Sequence, residues 1–100
     1  MNKRDPLVLT ELEQTCGMYP SQWEGKTTDG RFVYIRYRHG ELSVGVGVDQ
    51  DDAVYSSAGW DGKEPWLCVE PDGMDSEGIM DTDTMLRLTG ITLAEGASRP

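Results

Sequence analysis

Few residues of this 100-residue chain are of the types that carry catalytic chemistry. His39 is its only histidine, and Cys16 and Cys68 are its only cysteines. A serine or cysteine nucleophile needs a basic partner such as histidine, but His39 stands before Gly40 between two apolar runs, where it fits a tight turn. Zinc needs three or four cysteine or histidine ligands close together, and these three residues are widely spaced. We therefore expect a protein that is not an enzyme and uses no metal or cofactor.

The two cysteines are too few for a disulfide scaffold. Without an apolar leader after Lys3-Arg4 and without a run of about 20 apolar residues, the expected compartment is the cytoplasm, away from membranes. In a reducing compartment we expect both cysteines to be buried thiols. A disulfide or a reactive thiol is the alternative.

Carboxylates are the only abundant chemical groups, and calcium is the metal they would favour. The two candidate runs are Asp49, Asp51 and Asp52, and Asp72, Asp75 and Glu77. Neither run follows the spacing of an EF-hand loop. We interpret both as solvated acidic loops.

The net charge of −9 is concentrated in one segment. Residues 1–48 hold six acids and six bases, residues 49–83 hold eleven acids and one base, and residues 84–100 hold one acid and two bases. Such a segment argues against direct nucleic-acid binding, which requires Lys and Arg for the phosphates. It favours the basic surface of another protein as partner. The candidate contact residues are Asp49, Asp51, Asp52, Asp61, Glu64, Asp72, Asp75 and Glu77, with Trp60 as an aromatic anchor.

The stretch from Arg31 to Val48 predicts the hairpin around which the fold is organised. Its first half is rich in β-branched and aromatic residues, and its second half alternates apolar with small residues. A turn at His39-Gly40 makes residues whose numbers sum to 79 face each other. The core side is then formed by Val33, Ile35, Tyr37, Leu42, Val44 and Val46.

The opposite side of this hairpin carries aromatic residues over glycines and two arginines. Phe32 and Tyr34 would protect the backbone at Gly47 and Gly45. Alternatively, this outer face is a ligand-binding surface formed by Phe32, Tyr34, Arg36 and Arg38. It would then bind a nucleotide signal by stacking and phosphate contacts.

A preceding strand over residues 21–27 is expected, with two possible registers. A two-residue Asp29-Gly30 turn places Glu24 and Lys26 on the apolar side. A three-residue loop with a glycine bulge instead places Trp23 opposite Ile35 and turns both charged residues outward. We favour the second register, because it buries the tryptophan.

Two segments carry helix signals. Asp5-Pro6 can start a helix over residues 6–16, whose apolar stripe is Val8, Leu9, Leu12 and Cys16. Asp81 as N-cap and Gly90 after the last turn predict a second helix over residues 82–89. Short strands are expected at 53–57 and 66–70, and residues from about 93 are expected to be a loose tail of one domain spanning 1–100.

The motifs YPSQWEG at 19–25 and VYIRYRHGELSVGVG at 33–47 resemble a family of small proteins of bacteriophages, prophages and bacterial genomes. No activity is assigned to this family, so the resemblance transfers no functional residues. It implies a small phage-type accessory protein in the cytoplasm of a bacterial host. Small acidic proteins of that context often bind and block host proteins, for example as anti-CRISPR or other anti-defence inhibitors.

These observations predict an α+β fold, with an antiparallel sheet of four to five strands and two helices packed on one face. The leading functional hypothesis is a protein-binding inhibitor that occupies a nucleic-acid-binding surface of a host protein. The alternatives are a module that sequesters a nucleotide signal and a structural or assembly protein of the virion. Its oligomeric state, monomer or dimer, stays open.

Overall fold

The computed structural model describes residues 7–17, 21–38, 40–60, 62–70 and 80–98. Within this part of the chain, six strands form one mixed sheet and two helices pack on it. The elements are β1 (Val8–Gly17), β2 (Ser21–Thr27), β3 (Phe32–Arg38), β4 (Glu41–Gly47), α1 (Gln50–Ala58), β5 (Leu67–Val69), α2 (Thr82–Thr89) and β6 (Thr92–Ser98). The strand order is β5-β4-β3-β2-β1-β6, and only the pairing of β1 with β6 is parallel.

The central hairpin has the predicted register. Tyr37 pairs with Leu42, Ile35 with Val44, and Val33 with Val46. The neighbouring hairpin has the second of the two expected registers, because Trp23 pairs with Ile35 and is fully buried. Gly30 adopts a φ of 88° in the connecting loop, as a glycine bulge requires. His39 of the predicted turn lies outside the described residues.

The predicted helix over residues 6–16 is wrong, because residues 8–16 of this segment belong to strand β1. It carries two bulges, in which Thr10 and Thr15 are extra residues relative to β2. The bulge at Thr10 places Leu9 and Leu12 on the same face although they are three positions apart. A spacing of three is also the spacing of a helix. The bulged strand therefore imitates a helical stripe in the sequence.

The predicted strand over residues 53–57 is also wrong, because this segment forms helix α1. Asp49 is its N-cap and accepts a hydrogen bond from the Asp52 backbone N–H at 2.8 Å, while Gly59 ends the helix in the left-handed conformation. The buried residues of α1 are the small ones, Ala53 and Ser56. The helix consequently lacks the apolar stripe that would have revealed it in the sequence.

Helix α1 lies on the outer face of the central hairpin, directly against glycines of β4. A Cβ atom at Gly45 would stand 1.9 Å from the Ala53 carbonyl oxygen, and one at Gly47 would stand 2.6 Å from the Ala53 nitrogen. The glycines thus allow the helix backbone to touch the sheet backbone. This explains them better than protection by Phe32 and Tyr34, and it also buries Tyr34 to 7% exposure.

Helix α2 and the main core lie on the opposite face of the sheet. The helix has its predicted bounds, with Asp81 accepting from the Thr84 backbone N–H and Gly90 in the left-handed conformation. Met85 is buried in the core, and the Trp23 indole N–H donates to the Thr82 hydroxyl at 2.9 Å. The expectation of two helices on one face is therefore wrong. The sheet has one helix on each face and more strands than expected.

The two edges of the sheet are formed by β5 and β6. Strand β5 confirms the expected strand over 66–70 in its central residues, with Leu67 and Val69 paired to core residues of β4. Of the residues expected to form a loose tail from about 93, residues 93–98 belong to β6, which pairs with β1 in parallel. Neither helix in the described residues is long and apolar enough to cross a membrane.

Candidate protein-binding surface

The exposed large hydrophobic side chains of the described residues are gathered on α1 and its flanking loops. They are Val48 at 80% exposure, Tyr55 at 38% and Trp60 at 59%. A shallow depression of about 310 Å³ contains Val48 and Tyr55 together with Asp49, Asp51 and Asp52, and Lys63, the ion-pair partner of Asp52, also lines it. Apolar residues surrounded by charge are typical of a protein-contact surface. We give the name α1 surface to six residues: Val48, Asp49, Asp51, Asp52, Tyr55 and Trp60.

Two of the three aspartates on this surface also stabilise the fold. Asp49 caps α1, and the Asp52 carboxylate accepts from the Val48 backbone N–H at 3.0 Å and from Lys63 Nζ at 2.6 Å. The Lys63 hydrogen bond, reinforced by that from Val48, holds the pKa of Asp52 below its usual value. Asp51 is exposed in the first turn of α1. The side chains of Asp49 and Asp51 are thus the ones that face solvent.

Trp60 is positioned by the turn that follows α1. Its backbone N–H donates to the Tyr55 carbonyl at 3.0 Å, and the two rings lie 5.9 Å apart at an interplanar angle of 43°. The Ser56 hydroxyl ties this turn to the next segment by donating to the Glu64 carbonyl at 2.7 Å, and the Glu64 side chain is exposed. Of the other predicted contact residues, Asp61, Asp72, Asp75 and Glu77 lie outside the described residues.

A second group of carboxylates lies on the outer face beside the start of α1. Glu11, Glu13 and Glu24 line a groove of about 460 Å³ together with Lys26 and Gln50. Glu13 and Glu24 stand directly opposite each other on β1 and β2, an arrangement that destabilises a sheet. Sequence reasoning missed this group because it placed Glu11 and Glu13 on a helix. The register of β2 did turn Glu24 outward.

The alternative ligand face is divided by α1. Tyr34 is buried, and the Phe32 ring has the Lys26 ammonium 4.9 Å above it. Arg36 and Arg38 instead line a separate groove at the C-terminal end of α1. The four residues therefore do not form one surface.

Cys68 differs from the expected buried thiol, because it is exposed on β5. Its side chain lies on the outer face, since Leu67 and Val69 on either side point to the core. Desolvation and the neighbouring carboxylates of Glu41 and Glu70 raise the pKa of the Cys68 thiol. A raised pKa disfavours the thiolate, so this cysteine is poorly suited to nucleophilic chemistry. Within the described ranges, no three His, Cys, Asp or Glu side chains are close enough to hold a metal ion.

Comparison with known proteins found no similar protein. No protein-family model matches the chain, and no curated protein or solved structure is significantly similar to it.

Proposed function

We propose that the protein binds another protein through the α1 surface and acts as an inhibitor by occupying a basic site of that partner. The observation that carries this proposal is the grouping of Val48, Tyr55 and Trp60 among carboxylates. Exposed apolar side chains are unfavourable in water, so their burial by a partner is favourable. Trp60 is the anchor residue, because tryptophan is enriched among residues that dominate binding energy.

The charges around the α1 surface define the chemistry of the partner. Asp49 and Asp51 flank the apolar residues, and the group of Glu11, Glu13 and Glu24 extends negative charge along the same face of the sheet. A fitting partner therefore presents an apolar pocket surrounded by Lys and Arg. Nucleic-acid-binding proteins have such basic surfaces. The resemblance to a bacteriophage family suggests the context, an anti-defence or anti-CRISPR inhibitor in the bacterial cytoplasm.

Capture from a bacterial lysate that contains defence systems, followed by mass spectrometry, tests the proposal. The test variant is D49N/D51N, because asparagine caps a helix as well as aspartate does and α1 is kept. D83N on α2 is the control on the opposite face, where it neutralises one carboxylate. We expect a specific partner to be captured by the wild type and by D83N, and to be lost or strongly reduced with D49N/D51N and with Trp60→Ala. Equal capture by all four proteins would refute the assignment.

Two further measurements separate a binding role from a structural one. Affinity for the captured partner should fall steeply between about 50 and 500 mM salt, because exposed charges are screened over a Debye length of ~10 Å at 0.1 M. E13Q removes one of two opposed carboxylates, so it should raise the free energy of unfolding slightly while it weakens binding. A variant that is more stable and binds equally well would show that this group lies outside the interface.

A further inference from the structure

A second groove lies between the C-terminal half of α1 and the outer face of β3 and β4, beside Glu70 just after β5. Its volume is about 430 Å³, within the range of small-molecule sites. It contains both signs of charge, from Arg36 and Arg38 and from Glu41 and Glu70, and Trp60 forms part of its wall. It does not overlap the depression that contains Val48 and Tyr55, but it shares Trp60 with the α1 surface.

Two of the residues that line this groove have the chemistry to bind an anion. Arg36 on β3 stands directly opposite Ser43 on β4. The Arg36 side chain is half-buried, and within the described part of the chain its guanidinium makes no hydrogen bond or ion pair. The Ser43 hydroxyl likewise makes none there. A partly desolvated guanidinium with free donors is the group that proteins use to bind phosphate and carboxylate.

Trp60 provides the aromatic surface that the sequence had assigned to Phe32 and Tyr34. Trp60 is 59% exposed, so a flat ring can stack on its indole. The carboxylates of Glu41 and Glu70 accept hydrogen bonds and would repel a ligand that carries only negative charge. The groove therefore fits a ligand with an anion at one end and a flat ring bearing N–H donors at the other.

We propose that this groove binds a free purine nucleoside monophosphate. Its phosphate contacts Arg36 and Ser43, and its base stacks on Trp60. Guanine is the favoured base, because its adjacent N1–H and N2–H groups can both donate to one carboxylate. Either Glu41 or Glu70 can be that acceptor. A nucleic-acid chain is disfavoured, since its many phosphates meet a protein of net charge −9.

Calorimetric titration of the full chain with GMP, AMP, guanosine, inorganic phosphate and a short oligonucleotide tests the proposal. We expect saturable binding of GMP, with AMP, guanosine and phosphate each at least about tenfold weaker and the oligonucleotide weaker still. R36Q and Trp60→Leu should each weaken GMP binding at least about tenfold, whereas R87Q on α2 should leave it unchanged. Circular dichroism checks that each variant is folded, and Ser43→Ala tests the same subsite with a smaller change.

Several outcomes would overturn the proposal. One is that GMP shows no saturable binding at millimolar concentration, and another is that folded R36Q and folded Ser43→Ala both bind GMP as tightly as the wild type. The others are that guanosine binds as tightly as GMP, or that the oligonucleotide binds more tightly than GMP. D49N/D51N should bind GMP normally and R36Q should capture the protein partner normally. Failure of the nucleotide site is thus distinguishable from failure of the α1 surface.

Discussion

Replacing Gly45 with alanine should separate α1 from the sheet. The added Cβ would stand 1.9 Å from the Ala53 carbonyl oxygen and 2.4 Å from the Ser57 nitrogen. Both are backbone atoms, so no side chain can rotate away. The helix would have to move by about 1.5 Å to restore an ordinary contact of 3.4 Å. That movement also strains the hydrogen bond from the Val46 backbone N–H to the Ser56 hydroxyl at 3.3 Å.

The expected cost combines overpacking with a weakened, partly buried hydrogen bond. Overpacking costs about 1–3 kcal/mol and loss of the hydrogen bond about 1 kcal/mol more. We therefore expect Gly45→Ala to lower the free energy of unfolding by about 2–4 kcal/mol, which for a domain of this size lowers Tm by roughly 10 °C or more. Urea unfolding followed by circular dichroism, together with a thermal scan, measures both quantities.

Gly62→Ala is the control for adding a methyl group to a glycine where no atom lies close to it. Gly62 has a φ of 73° and nothing within 4 Å of its added Cβ, so the control contains backbone strain without a packing clash. It should cost only about 1 kcal/mol. If Gly45→Ala unfolds within about 0.5 kcal/mol of the wild type, the close contact between α1 and β4 is wrong.

Three further predictions concern single side chains. Trp23→Phe loses the hydrogen bond to Thr82 and some buried volume, so urea unfolding should show a loss of about 1–3 kcal/mol; no loss would contradict that contact. Asp52→Asn should destabilise the protein less at pH 3 than at pH 7. The wild type loses the stability contributed by this carboxylate as the pH falls from about 4 through its lowered folded-state pKa; a pH-independent difference would argue against the Lys63 contact. Asp81→Ala should cost about 1 kcal/mol and Asp81→Asn almost nothing; equal thermal shifts would exclude a capping role.

The sequence predicted those parts of the fold in which local signals and packing agree. The central hairpin followed from its alternation and from Gly40, and α2 followed from Asp81 and Gly90 with core residues between them. In both segments the apolar residues recur with the period of the element that forms. The choice of the register that buries Trp23 was correct for the same reason.

The predictions for β1 and α1 were wrong because the spacing of their apolar residues does not match the element that forms. The bulge at Thr10 gives β1 the spacing of a helix, and α1 contacts the sheet through Ala53 and Ser56, so it has no apolar period. The capping residues Asp49 and Gly59 resemble those of α2 and were the available signal. Small residues at 45, 47, 53 and 56 also indicate that a helix and a sheet come into backbone contact.

Some residues of the candidate surface could be chosen from the sequence, but others could not. The acidic residues flanking α1 were chosen as candidates from the charge distribution, and Trp60 was chosen as an aromatic anchor in the same segment. Glu11 and Glu13 were missed, because their place beside Glu24 depends on the pairing of β1 with β2. Arg36 was part of the predicted ligand face, but Tyr34 of that face is buried, since the path of α1 decides which aromatic ring stays accessible.

Because β1 pairs with β6, the sheet can be completed only after the last strand of the described chain has been synthesised. Val8 is among the first described residues to leave the ribosome, and its partner Thr92 is among the last. Strands β2, β3 and β4 can pair locally while one side of β1 still presents unpaired N–H and C=O groups. Until β6 arrives, that open edge can recruit strands from neighbouring chains. Translation pauses late in the chain should therefore increase aggregation more than pauses early in it.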